Sequence, residues 1–222
     1  SSMKTAIVLP GDLSDKTFPE KLYTQISDKG IDVDIIINNA GFGFSGLFLE
    51  SDMKNYDEML NVNIYSLTSL THLFLKDMVA RENGGIINVS SLASYQPMPY
   101  FGIYAATKSY VTSFTIALNE EYKNKGIKVL AVCPGYTKTN FNKRAFTSSK
   151  PVTGNIMSAE SVVEESLKAF LKGKTVIING ISNRIIKRFM SLLPQSLALK
   201  ITKYIIKKGL QAGNWYQWKY LF

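Results

Sequence analysis

A chain of 222 residues, 45% hydrophobic and 19% charged, carries enough apolar material for one sizeable core, which excludes the disordered and fibrous classes. Its single cysteine, Cys133, rules out an internal disulfide and suits a reducing compartment, and its single histidine, His72, leaves no basis for a zinc cluster or a histidine-centred triad. The formal net charge of +9 calls for an anionic partner, and with no apolar run long enough to span a bilayer and no signal-peptide pattern the expected location is the cytoplasm.

Ser1-Ser2 ahead of Met3 reads as a tag remnant. Residues 3–8 read as a first parallel strand, yet Val8 is followed at once by Leu9-Pro10-Gly11-Asp12-Leu13. An amphipathic helix is expected over 16–31, with Phe18, Leu22 and Ile26 on one stripe and Gly30 as its stop. Residues 33–37 form an apolar strand that closes on Asn38-Asn39-Ala40-Gly41, and Phe42, Gly43 and Phe44 begin an aromatic loop. Residues 51–80 carry helical periodicity with Ser51 or Asp52 as cap, and Asn63 falls inside that helix, where an amide is a poor fit unless it has other work.

A further strand over 86–91 ends at Ser90-Ser91, a loop covers 94–99, and a helix spans 102–125 with Gly126 as its stop. The strand at 127–133 runs into Pro134-Gly135-Tyr136-Thr137. Residues 136–160, including Thr139, Phe141 and Phe146, are expected to lie over a cleft, and Ser158 opens another helix. A short last strand is read at 174–178.

The chemistry concentrates at Tyr104-Ala105-Ala106-Thr107-Lys108. Residues four apart share a helix face, so the Tyr104 hydroxyl and the Lys108 ammonium can reach one pocket. A free phenol titrates near pH 10, too high for acid/base work at neutrality, and a nearby cation favours the phenolate, so Lys108 is expected to lower the Tyr104 pKa. Three strand ends, at Asn38, Ser91 and Pro134, carry polar or flexible residues, and in an open parallel sheet the carboxyl ends of strands are where ligands bind.

Asn38-Asn39-Ala40-Gly41, Asn63 after Val62, Ser91, Tyr104 with Lys108, and Pro134-Gly135 with Thr137 and Thr139 stand in the order and spacing of one family across roughly residues 4–180. In them the chain resembles the short-chain dehydrogenase/reductase family. The resemblance implies an α/β fold, a Rossmann-type doubly wound parallel sheet in three layers forming a single domain over 1–182. It further implies a small-molecule carbonyl or alcohol substrate, hydride transfer with NADP or, less favoured, NAD, and a homodimer or homotetramer. Tyr104 would be the general acid/base, Ser91 would bond the substrate oxygen, and Lys108 would also hold the nicotinamide ribose. Asn63 would keep an ordered water at a helix kink. Asp12 and Leu13 would lie by the adenine, Asn39, Ala40 and Gly41 by the adenine-side ribose, and Pro134, Gly135 and Thr137 by the carboxamide. The alternative is a catalytically silent dinucleotide-binding or regulatory protein of the same fold; such proteins usually lose the Tyr, Lys or Ser, and all three are present here.

One departure is large. The first strand of the resembled family runs into a glycine-rich phosphate-binding turn, and here that βα unit is missing between Val8 and Leu9. The expectation is that the natural protein carries a segment at this point; the alternative is a genuine deletion, with poor dinucleotide binding as its consequence.

Residues 183–222 form a basic extension, with Arg184, Lys187, Arg188, Lys200, Lys203, Lys207 and Lys208 interleaved with aliphatics. It is expected to pack on the same domain or on a partner subunit, with membrane-surface contact through 183–210 as the alternative. Cations interleaved with aliphatics make no stacking platform for nucleic acid, so no such partner is expected. The aromatic stretch from Trp215 to Phe222 should dock somewhere.

Overall fold

In a computed structural model, residues 5–139, 141 and 156–211 are described. The runs rich in Ile and Val become strands because β-branched side chains fill a sheet buried on both faces. β1 (Ile35–Asn38), β2 (Gly84–Val89), β3 (Ile127–Cys133) and β6 (Val176–Ile178) pair in the order β1-β2-β3-β6, every pairing parallel. β4 (Thr137–Lys138) and β5 (Met157–Ser158) make a separate parallel pair.

Parallel neighbours need helical crossovers, and these form the outer layers. One face of the sheet packs against α1 (Phe18–Ser27), α3 (Leu67–Ala80) and α4 (Gly102–Tyr122) through Leu22, Ile26, Phe74, Met78 and Leu118 on Ile86 and Val129. On the opposite face α5 (Ala159–Leu171) sets Ala169 and Phe170 against Ile87, Leu130 and Val132. The three-layer arrangement is the one expected. Ser158 caps α5 by accepting from the Ser161 amide.

The expected helix over 51–80 is three pieces. α2 (Met53–Leu60) passes through a π-helical turn, Asn61–Ser66, into α3. Asn63 lies in that turn, so the kink expected near it takes the form of one extra residue per turn, a feature common at functional sites. Asp52 stands at the start of α2 but makes no side-chain capping bond.

Over the described residues 5–8 the expected first strand does not form. Residues 5–12 have no regular structure and Val8 is exposed. The physical reason is the connection: Asp12 and Asp15 already hold a turn, with Ser14 donating to Asp12 and Asp15 to the Asp12 carbonyl. No crossover remains to lay residues 5–8 parallel to a neighbour. β1 is therefore left as an edge, and Ile35 and Ile37, on the α5 side of the sheet, stay exposed. Past α5, α6 (Ile181–Met190) and α7 (Gln195–Gln211) complete the described chain; Phe146 and the Trp215 to Phe222 stretch lie outside the described residues.

Gly126 turns the chain from the end of α4 into β3 at φ 73°, and a Cβ there would sit 1.9 Å from the Glu82 carbonyl oxygen. Gly126→Ala is expected to cost at least about 1–3 kcal/mol in urea unfolding; a variant as stable as wild type would mean the turn is not constrained as drawn. Peptide mapping decides the question at Val8: a fragment of the natural protein in which Val8 is followed directly by Leu9 carries the deletion, and one in which other residues intervene carries the segment.

Candidate active site

The carboxyl ends of β1, β2 and β3 open toward the first turns of α4. Tyr104 sits in the first turn of α4, its ring stacked on Phe101 with centroids 4.3 Å apart and tilted against Phe141 at 5.5 Å. Both Tyr104 and Lys108 are buried. Ser91, just past β2, accepts from the Ala93 amide at 3.1 Å, and its hydroxyl lies near enough to the Tyr104 phenol to favour the phenolate. The serine and tyrosine singled out in the sequence therefore meet.

Lys108 lies one turn on from Tyr104. Its Nζ donates to the Val89 carbonyl at 2.8 Å and stands 5.7 Å from the centroid of the Tyr104 ring. Burial pulls its pKa from 10.5 down to about 8, opposed in part by the Cys133 sulfur. The expected lowering of the Tyr104 pKa does not occur. Burial pushes the phenol up to about 12, with the nearby Ser91 hydroxyl acting against it. The amine reaches the face of the ring and a backbone oxygen rather than the phenol oxygen, so desolvation decides the direction.

Asn63 uses its whole amide. Its Oδ1 accepts from the Phe42 amide at 3.1 Å, and its Nδ2 donates to the Phe42 carbonyl at 2.9 Å and to Thr107 Oγ1 at 3.0 Å. This pins the loop after β1 to both α4 and the π turn. Gly41 is drawn in with it: a Cβ at that position would stand 3.0 Å from Asn63 Oδ1 and 3.2 Å from Lys108 Nζ. Gly41, Asn63, Ser91, Tyr104 and Lys108 form one cluster.

The remaining predicted residues lie at its margins. Asn39 and Ala40 are exposed, with the Asn39 amide turned back onto the Ile37 carbonyl. The Leu13 carbonyl accepts from Ser66 Oγ at 2.6 Å, at the end of the π turn, while Asp12 is solvated. Hydrogen bonds from Ser14 hold the Asp12 carboxyl below its usual range. The Pro134 carbonyl accepts from the Leu92 amide. Gly135 is pressed so closely by Asn183 that a Cβ would lie 2.4 Å from its side chain, and Thr137 Oγ1 donates to the Gly135 carbonyl at 3.1 Å.

Sequence reasoning passed over several supporting residues. Thr107 is buried, receives Asn63 and donates to the Tyr104 carbonyl at 2.7 Å. Asn88 joins β1 to α4, accepting from Asn38 Nδ2 at 2.8 Å and donating to Thr115 at 3.0 Å. Ser90 Oγ donates to the Lys108 carbonyl at 2.8 Å. The signal was available: Thr107 adjoins Lys108 in the key run, and an asparagine inside an apolar strand is costly unless it is bonded.

Beside the cluster, Phe42, Phe44, Tyr56, Met98, Phe101 and Ile103 make an apolar wall. A separate cavity of about 560 Å³ lies across α4, bounded by Gly102, Ala105, Ala106 and Ser109 on the face opposite Tyr104 and closed by Leu199. Among the described residues no group of acidic, histidine or cysteine side chains is placed to hold a metal.

This arrangement of strands and side chains places the protein in a known class. The short chain dehydrogenase model matches residues 1–150, and the chain belongs to that family. It is 32% identical over 197 residues to the human very-long-chain 3-oxoacyl-CoA reductase, covering 86% of this chain and 60% of that protein. It is 31% identical over 176 residues to the ketoacyl reductase HetN of a Nostoc species, covering 78% of this chain and 61% of the other. This chain thus spans less than two thirds of these relatives' lengths. Among solved structures, a Sphingobium yanoikuyae short-chain dehydrogenase in complex with NADPH superposes with a TM-score of 0.70 at 26% identity, covering 84% of this chain and 75% of that one. A 7beta-hydroxysteroid dehydrogenase shares the fold with a TM-score of 0.77 at 21% identity, over 88% and 75% of the two chains.

The buried amine has a measurable signature. Below pH 8 the folded and unfolded states both hold the Lys108 proton, and the burial cost, roughly 3 kcal/mol for the fall from 10.5 to about 8, is fully present. Between pH 8 and 10.5 the unfolded chain holds more proton, so this group lets stability rise with pH. Tyr104 and Cys133, both pushed up by burial, act in the opposite sense above pH 9. The difference between wild type and Lys108→Met isolates the lysine. In urea unfolding that difference is expected to move in favour of wild type by more than about 1 kcal/mol between pH 7.5 and 10; a difference flat with pH would mean the ammonium is solvated.

Proposed function

We propose that the protein is an NAD(P)-dependent oxidoreductase interconverting a carbonyl and a secondary alcohol, with Tyr104 as general acid/base. The observation that carries this is the meeting of Ser91 and Tyr104 over a buried Lys108 beside an apolar wall. Two hydroxyl donors in one recess can both reach a single carbonyl oxygen, which is the geometry that stabilises developing negative charge.

The residues present fit the nicotinamide end of a dinucleotide. Gly41 offers close backbone approach, Lys108 offers ammonium hydrogens beyond the one given to Val89, and Pro134, Gly135 and Thr137 edge the cleft. The pyrophosphate end falls to the segment expected at Val8. When bound, the nicotinamide supplies or accepts hydride. NADP is favoured over NAD by the net charge of +9 and by the NADPH held by the Sphingobium relative.

The residues do the rest. A phenol pushed up to about 12 keeps its proton at neutral pH but is a weak acid, so donation from Tyr104 to the substrate oxygen during reduction depends on stabilisation of the phenolate that forms. Ser91 bonds the same oxygen and orients it. Lys108, charged at neutrality with a pKa of about 8, stabilises the phenolate left behind across the 5.7 Å to its ring. Asn63 and Thr107 are positioning residues that hold the Gly41–Phe42 backbone and α4 together.

For substrate, the aromatic wall and the likeness to 3-oxoacyl reductases support a 3-oxoacyl thioester with an apolar chain, reduced at its ketone by a homodimer or homotetramer on the cytoplasmic side.

Tyr104→Phe is expected to abolish nearly all NADPH-dependent reduction of a 3-oxoacyl-CoA series while leaving NADPH affinity close to normal, and Ser91→Ala to lower kcat by about 10²–10³. Wild-type rates from the phenylalanine variant would overturn the assignment. Across the series kcat/KM should climb by up to about fourfold per added methylene; no dependence on chain length would remove the thioester assignment and leave the chemistry untouched.

A further inference from the structure

The surface that α6 and α7 turn away from the sheet takes no part in the site. On α6, Asn183 is buried against Gly135. The opposite stripe holds Ile181, Ile185 and Phe189 at successive intervals of four, followed by Leu192. Their exposures are 70%, 63%, 58% and 78%. On α7, Thr202 is the buried side, and Leu197, Tyr204 and Ile205 are exposed. A stripe of four large apolar side chains in water is a face built to be covered.

Its charge says by what. Residues 181–211 contain seven Lys and Arg and no Asp or Glu, and Arg188, Lys200, Lys203 and Lys208 are exposed. Arg188 precedes Phe189 and follows Ile185 by three, so it flanks the apolar stripe directly. We propose that this face docks on a bilayer rich in anionic phospholipid: the α6 stripe enters the interface among the acyl chains, and the flanking cations meet the phosphates. A second copy of the chain would set seven cations against seven. A nucleic acid would neutralise the cations and leave Ile185, Phe189 and Leu192 in water.

The docking stands whether or not the site is catalytic. It also has a geometric consequence for the cleft, because α6 is fastened to the site's margin. Asn183 packs on Gly135, and Lys187 lies over the Tyr95 ring at 5.2 Å, four residues beyond Ser91. A lipid surface under α6 therefore lies close to the mouth through which an apolar substrate would enter.

The test is co-sedimentation of the full chain with vesicles of phosphatidylcholine alone or with a quarter of the lipid replaced by phosphatidylglycerol, at low salt and at about 0.5 M NaCl. Wild type should bind the anionic vesicles at least tenfold more tightly than the neutral ones and release them in high salt. Each cation at an anionic surface contributes about fivefold. Arg188→Gln with Lys200→Gln and Lys203→Gln should therefore weaken binding by about a hundredfold. Ile185→Glu with Phe189→Glu should abolish it, whereas Leu171→Glu, a residue 72% exposed on α5, should leave it unchanged. Thermal melts monitored by circular dichroism verify folding, and Ile185→Ser with Phe189→Ser gives the same reading should the glutamates unfold the chain. Absent or charge-independent vesicle binding overturns the proposal, as does retention by the triple glutamine variant. It is equally overturned if the α6 variants split a wild-type dimer in sedimentation, which would make the face a self-association surface.

Discussion

An ammonium group buried beneath a sheet is the constraint that the rest of this structure serves. Desolvation of Lys108 costs several kilocalories per mole, and the compensation is local: the Val89 carbonyl at 2.8 Å, the face of the Tyr104 ring, and close backbone approach at Gly41. Each of these depends on a different element. Val89 ends β2, Tyr104 rides on α4, and Gly41 follows β1 and is held by Asn63 from the π turn. A charge that must be met from several directions obliges those elements to keep fixed relative positions, and that rigidity is what lets two hydroxyls aim at one point.

The same environment sets the chemistry. Within a few ångströms, burial moves an amine toward neutrality and a phenol away from ionisation, so both carry their protons at pH 7. The site therefore enters reduction with a proton in place on Tyr104, and the cost of releasing it falls on the groups that stabilise the phenolate, Ser91 and the Lys108 ammonium. The polar supports below it, Asn38 to Asn88 to Thr115 and Ser90 to Lys108, are satisfied internally. They cross from strand to strand to helix, so the sheet and α4 cannot slide past each other without breaking buried bonds.

Much of this was legible from residues alone. Ile35-Ile36-Ile37 and the run ending at Cys133 declare buried parallel strands, and Tyr104 with Lys108 declares a shared helix face. The direction of the Tyr104 pKa was not legible, because it hangs on where the amine comes to rest rather than on its spacing in sequence. The strand expected over residues 3–8 is absent from its described part, 5–8, because apolar composition cannot provide a crossover; the connection decides, and the chain from Val8 to Asp12 has no room for one. Thr107 and Asn88 escaped notice because a lone polar residue in an apolar run shows its value only once its partners are known.

The π turn at Asn61–Ser66 makes the spacing between two halves of the molecule a matter of integer count. With one residue fewer, the backbone could relax to ordinary helical pairing, and everything before the turn would rotate by about 100° relative to α3. Tyr56 and Met59 would leave the aromatic wall and Asn63 would face away from Phe42. Loops elsewhere can lengthen or shrink as the lineage drifts, but the stretch between Tyr56 and Ser66 is a ruler that evolution can repaint and cannot cut.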